Sequence, residues 1–304
     1  MAADPFSPTP PLAPRALGRW LWQLGKDVFH EYSEDGVGDL AAAITFWTIL
    51  SIPAAALALV SALSSLDSVI GSSLAADVEE QTQEFIADTL VDSATLSNAV
   101  DELFRGSGSG IAIIATLVAI FTLSRAFAGL IRALDVAYEV EEGRPFWYLR
   151  MVAIGLGTAT IVVVAGTATF VALLPEFGFG PVMRVVAPLA AFSVLVLWAA
   201  TIFHIGPNHK TPWRFDVPGA LFTAIGWIAT SQGYALYVRL SADANQVQSS
   251  VGAVLLTLTL MYLLSVVLLI GAQLNDVIAR RSGVVSEVAP VTARARSLHD
   301  RLRS

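Results

Sequence analysis

Six continuous apolar runs, each of about 20 residues, constrain this chain more than any other feature. They lie at about Leu40–Leu63, Gly110–Ile131, Met151–Leu173, Val182–Ile205, Pro218–Val238 and Val251–Gly271. A helix needs roughly 20 such residues to cross a hydrocarbon layer about 30 Å thick. In lipid the backbone must satisfy its own hydrogen bonds, and continuous runs, unlike short alternating ones, do so as helices. The composition agrees: 14% of residues are charged and 55% hydrophobic, against about 25% charged in an average soluble domain. The expected fold class is therefore all-α, a polytopic membrane protein with six transmembrane helices. Pro53 and Pro188 fall inside runs and are expected to kink them.

Positive charge fixes an expected orientation, because short cytoplasmic loops retain Lys and Arg. Arg15, Arg19 and Lys26 precede the first run, Arg144 and Arg150 follow the second, Lys210 and Arg214 follow the fourth, and Arg280, Arg281, Arg294, Arg296, Arg301 and Arg303 follow the sixth. The opposite loops hold Arg105, with Arg184 and Arg239 at run edges. Both termini are thus expected in the cytoplasm, with six crossings between them. The net charge of -7 says nothing about a partner for the inner face, since the acidic excess sits mainly in one outer loop. The first apolar run begins near residue 40, too far in for a cleavable signal peptide, so it is expected to target the chain and remain in it. With no cysteine, disulfides and thiolate metal sites or nucleophiles are excluded.

Between and beyond the runs, four regions are expected. Residues 1–15 are a proline-rich disordered tail. Residues 16–35 form an amphipathic helix, with Leu17, Trp20, Leu21, Leu24 and Val28 on one face and Arg19 and Lys26 available to the polar side, lying in the inner headgroup layer. Residues 36–280 are the six-helix domain, whose outer loop 66–109 is acidic and carries two short amphipathic helices, placed either over the mouth of a cavity or on the outer surface of the bundle. Residues 281–304 are a basic cytoplasmic tail. The loops "EEGRPFWYLR" and "HKTPWRFDVPG" share basic residues, a proline and a tryptophan, a pattern that suits either an internal repeat or an inner membrane interface.

Four ordered blocks carry a resemblance: "AAAITFWTILSIPAAALALVSAL", "SRAFAGLIRALDVAYEVEEGRPFW", "PGALFTAIGWIATSQGYALYVRL" and "VGAVLLTLTLMYLLSVVLLIGAQLND". Over roughly Gly36 to Arg280 the chain resembles the YihY/BrkB family of bacterial inner-membrane proteins. The resemblance implies a six-span inner-membrane protein in a family once labelled a tRNA-processing ribonuclease and associated by name with serum resistance. Neither label supplies a molecular activity. The chain departs from the family's pattern at "NQVQSSVGA", where an aromatic-glycine turn is frequent, and at Met261, where Trp is frequent, so a substrate identity is not carried over.

Arg125 stands about fifteen residues into the second run, about 8 Å short of its inner boundary at 1.5 Å per residue. Charge at that depth is costly and usually faces the bundle interior or water, although an arginine can also reach the headgroups. Arg132 follows seven residues later, about 20° away around the helix. Asp39, Asp135, Gln273, Asn275 and Asp276 fall at similar depth, and together they suggest a polar cluster at the cytoplasmic mouth. One reading is a site for a phosphate or carboxylate, gripped by guanidinium. The other is a set of interhelical salt bridges or lipid contacts. Gln232, with Thr230, Ser231 and Tyr234, makes a second polar series, and Thr45, Thr48 and Ser51 a third. Gly155, Ala159, Gly219 and Thr223 suit helix packing.

Enzyme motifs are largely missing. His30, His204, His209 and His299 are scattered, and the pair in "FHIGPNHK" reads as interfacial headgroup contact. A metal-dependent nuclease needs clustered ligands to activate water, so no catalytic residue, metal, cofactor or nucleic-acid partner is expected. The "GSGSG" stretch lacks the Lys-Ser/Thr of a P-loop and reads as a linker. The leading expectation is a transporter or exporter of a small solute or lipid-like amphiphile through a polar path among the first, second, fifth and sixth spans. The alternative is a non-transporting scaffold for envelope biogenesis, with a membrane enzyme acting on lipids third. Membrane lipids are the expected partners.

Overall fold

The computed structural model describes residues 14–51, 109–173, 180–209, 211–241 and 250–284. Among these residues the chain is helical, with no strand. The helices are α1 (Pro14–Glu34), α2 (Val37–Ser51), α3 (Ser109–Ala137), α4 (Phe146–Leu173), α5 (Gly180–Ile205), α6 (Val217–Ser241) and α7 (Ser250–Arg281), with a 3-10 turn at Trp213–Phe215 before α6. The expected disordered tail, Pro53, the acidic outer loop, the "NQVQ" stretch and the basic tail beyond residue 284 lie outside the described residues.

Three stretches among the described residues are long and apolar enough to cross a membrane: Phe146–Val164, Val185–Ile205 and Val254–Arg281. Val37–Ser51 is apolar but shorter. Their outward faces carry exposed Ile161, Val162, Val164, Val185, Leu189, Leu197 and Leu255, a surface that water would not tolerate in so large an extent. Helix α5 continues through Pro188.

Helix ends follow local chemistry. Gly36, at φ 61°, takes the left-handed conformation that lets the chain turn from α1 into α2. At the end of α3, Val140 N–H donates to the Asp135 carbonyl and Glu139 N–H to the Val136 carbonyl, both at 2.9 Å, the paired closure in which glycine usually occupies the left-handed position. Here that position is Glu139, at φ 49°. The same closure at Gly283 ends α7.

The chain divides into two compact units. The first comprises residues 1–41, 128–229 and 264–304, and the second residues 42–127 and 230–263. In the first unit α4 packs on α5, and α6 crosses α7 at unusually short range. A Cβ on Gly219 would strike the Gly271 carbonyl and Asn275, and one on Gly271 would strike Thr223 and the Gly219 carbonyl. Small residues allow such a crossing, as the sequence suggested for Gly219 and Thr223. Gly155, by contrast, has open space beside it and is exposed, so it takes no part in packing among the described residues. Trp227 Nε1 seals the crossing by donating to the Leu264 carbonyl at 2.8 Å. Around it Ile131, Leu134, Phe203, Ala220, Ala224, Leu269 and Ala272 form the core.

In the second unit Arg125 lies over the Trp47 ring at 4.4 Å, and its buried Nε has no hydrogen-bond partner among the described residues. Ser51 and Ser124 return their hydroxyls to carbonyls of their own helices, Thr48 and Phe121, at 2.7 and 2.9 Å. Gln232 and Ser231 are exposed.

Candidate functional site

The polar centre of the first unit is built on the start of α6. Asp216 stands at its N-cap, its carbonyl accepting the Ala220 N–H at 3.1 Å. An N-cap carboxylate usually accepts from the second or third helical N–H. Here the second residue is Pro218, which has no N–H, and the third, Gly219, donates instead to Asn275 Oδ1 of α7 at 2.6 Å. This exchange frees the Asp216 carboxylate. Although fully buried, it accepts from the Tyr138 hydroxyl at 3.2 Å and meets His204 Nδ1 at 2.9 Å. The Asn275 amide completes the circuit, Nδ2 donating to the Tyr138 oxygen and to the Asp216 carbonyl, each at 3.1 Å. Burial lifts the Asp216 carboxyl to about 6, against the opposing pull of His204, and pushes the Tyr138 phenol well above its ordinary value.

His209 closes one wall. Its side chain is 1% exposed, its ring packs on Tyr138 at 4.5 Å, Nε2 faces the Phe203 carbonyl at 3.0 Å and Nδ1 accepts the Thr211 N–H at 3.1 Å. Burial draws it down to about 4, so at neutral pH it is uncharged with the proton on Nε2, and its 3.8 Å approach to Asp216 is not an ion pair. The two similar loops are bound to each other here. Arg144 grips Glu142 and donates from Nη2 to the Gly206 carbonyl at 2.7 Å, satisfying the end of α5 with a cation, as a helix C-terminus favours. Asn208 donates its N–H to Asp135 at 2.9 Å and its amide to the Glu141 carbonyl at 3.2 Å.

A second cluster, also in the first unit, joins α1, the end of α3 and the last turns of α7. Arg280 engages three carboxylates: Glu31, Glu139 at 2.9 Å and Asp276, whose Oδ2 lies 2.7 Å from Nε without hydrogen-bonding alignment. Arg281 pairs with Asp27. Gln273, fully buried, donates to Asp35 at 3.0 Å. A cleft of about 520 Å³ opens beside this cluster, between α1 and α7. Burial raises Glu31 to about 7 despite Arg280, and raises Asp35 as well.

Asp135, Gln273, Asn275 and Asp276 are all buried in the first unit, Asn275 in the Asp216 centre, Gln273 and Asp276 in the Arg280 cluster and Asp135 against Asn208. Asp39 and Arg132, of the same unit, are exposed, while Arg125 and Gln232 belong to the second unit. Sequence reasoning missed Tyr138, Asp216, Glu31, Asp35 and Glu139, and it read His209, now a core side chain, as interfacial. The signal available was "FDVPG", an N-cap acid ahead of proline and glycine. Nothing local marks Tyr138. Among the described residues no group of three or more His, Cys, Asp or Glu has a metal-holding arrangement.

The family model described as virulence factor BrkB matches residues 28–296. The chain belongs to this family. Among curated relatives, the chain is similar to the putative ribonuclease-like protein YfkH of Bacillus subtilis, 28% identical over 73% of this chain and 82% of that protein. UPF0761 membrane proteins of Methylibium petroleiphilum and Paraburkholderia xenovorans are 22% and 27% identical over 86% and 84% of this chain. The chain spans only 64% and 59% of the length of those two. No solved structure matches. Family and apolar helices together make this BrkB-family chain a membrane protein.

Proposed function

We propose that this BrkB-family protein is a transporter of the bacterial inner membrane, moving a small solute or lipid-like amphiphile, with six crossings and both termini in the cytoplasm. The observation that carries the reading is the set of carboxylates buried at one end of apolar helices, Asp135, Asp216 and Asp276, in a unit that also opens a cleft at Glu31. Ionisable groups in membrane helices are costly, and they mark solute pathways and proton relays by default. Glu31 and Asp216, poised near neutrality, suit coupling to protons. The positive-inside count supports the orientation.

We read the activity as non-enzymatic. Both ring nitrogens of His209 are already engaged, and the ribonuclease-like name is printed for the Bacillus subtilis relative, not for this chain. The scaffold reading draws support from Asn275, whose hydrogen bonds to Gly219, Tyr138 and Asp216 tie α7 to the start of α6 and the end of α3. Proteoliposomes under an imposed pH gradient separate the two. Transport predicts movement of at least one solute or labelled lipid from a broad panel, abolished by Asp276→Asn; no movement of any of them, by protein shown to be folded, refutes it.

A further inference from the structure

The cleft between α1 and α7 is lined by Asp27, His30, Glu31, Val277, Arg280, Arg281 and Gly283, so two carboxylates face two guanidinium groups in its wall. Beyond the wall, Asp35, Glu139 and Asp276 add three more carboxylates around the same guanidinium groups, so acids outnumber bases five to two in the cluster that backs the cleft. Such a surplus favours a positively charged occupant. An independent observation points the other way. The Arg281 side chain is 10% exposed, one nitrogen reaches Asp27, and its buried Nη1 has no hydrogen-bond partner among the described residues. A buried guanidinium N–H left open wants an oxyanion. One ligand class satisfies both: a primary ammonium and an oxyanion carried a few bonds apart.

The surface of α1 indicates where such a ligand comes from. Leu24 and Val28 face the protein, whereas the opposite side exposes Trp22 and Phe29, with Arg19 and Lys26 beside them and Lys26 5.5 Å from the Trp22 ring. The face expected to meet the membrane is thus turned inward, and a second aromatic and basic face is available to headgroups. Residues 280 and 281 end the last apolar stretch, so the cleft sits where a membrane helix meets water.

We propose that this cleft binds the aminophosphate headgroup of a membrane lipid, its phosphate on Arg281 and its ammonium between Asp27 and Glu31. The proposal deepens the transport reading and rests on it for the class of solute, but binding itself needs no movement. The test titrates the full-length protein in detergent with dihexanoyl phosphatidylethanolamine, phosphatidylglycerol and phosphatidylcholine, and with free O-phosphoethanolamine, by native mass spectrometry. The ethanolamine lipid is expected to bind about tenfold more tightly than the other two. Glu31→Gln should remove that preference, and Arg281→Gln should weaken all three.

Equal affinity for the three lipids, or a preference for glycerol, overturns the proposal. This comparison uses the unaltered protein, so it holds even where a variant fails to fold. Free O-phosphoethanolamine binding as tightly as the lipid keeps the site and makes its natural occupant a soluble aminophosphate. Selective binding without flux in proteoliposomes refutes transport and leaves the site standing; flux of the lipid without selective binding does the reverse.

Discussion

Replacing Asn275 by alanine strikes three elements at once. Asn275 is 1% exposed and serves Gly219 N–H at 2.6 Å, the Tyr138 oxygen at 3.1 Å and the Asp216 carbonyl at 3.1 Å. The two acceptors keep other partners, since Tyr138 still donates to Asp216 and the Asp216 carbonyl still accepts from Ala220. Gly219 N–H has no substitute. A buried donor left unpaired costs about 1–3 kcal/mol, and the space vacated by the amide adds about 1 kcal/mol. Asn275→Ala is therefore expected to destabilise by about 3 kcal/mol. Asn275→Asp keeps the shape and the acceptor for Gly219, but sets a second oxygen against two oxygens. That contact is tolerable only when the new carboxyl carries a proton, so the deficit of the aspartate variant must grow as pH rises. Equilibrium unfolding in mixed micelles, followed by the fluorescence of the seven tryptophans, measures both. An alanine variant within about 0.5 kcal/mol of the unaltered protein, or an aspartate deficit equal at pH 5 and pH 8, refutes the account.

Gly219→Ala and Gly271→Ala each place a Cβ on an opposing backbone, so each should destabilise by about 1–3 kcal/mol, with lower thermal stability; an unchanged midpoint argues against close contact of α6 with α7. Glu31 and Asp216 have folded-state values near 7 and 6, above 4.5 and 3.8, so the native state binds protons more tightly than the unfolded one. The stability they contribute is full below about pH 4 and lost as pH rises to about 7; melting at stepped pH should show this fall, and an identical slope in Glu31→Gln would remove Glu31 from it. In the second unit the stacking of Arg125 on Trp47 predicts a coupling of about 1 kcal/mol between Arg125→Ala and Trp47→Ala; strict additivity would leave the contact without energetic weight.

Helical class and membrane location are legible in the amino-acid sequence, because both follow from length and oiliness summed along the chain. Gly219 and Thr223 are legible as packing residues too, since small side chains in a membrane helix have few other uses. Arg125 draws attention for a sound reason, the cost of charge in hydrocarbon, but its nearest aromatic partner lies 78 residues away in sequence, and no spacing rule finds it.

The sequence alone determined that the chain is helical, that it carries apolar helices suited to a membrane and where loop charge accumulates. These are local properties, written in consecutive residues. Tertiary structure decided that Asp216 surrenders its capping role to Asn275, that His209 is core and uncharged, and that Arg280 gathers acids from α1, α7 and the end of α3. Each depends on groups brought together across 50 to 250 residues, where the energy of a buried hydrogen bond or ion pair is set by the partner that folding supplies and not by the residue that seeks it.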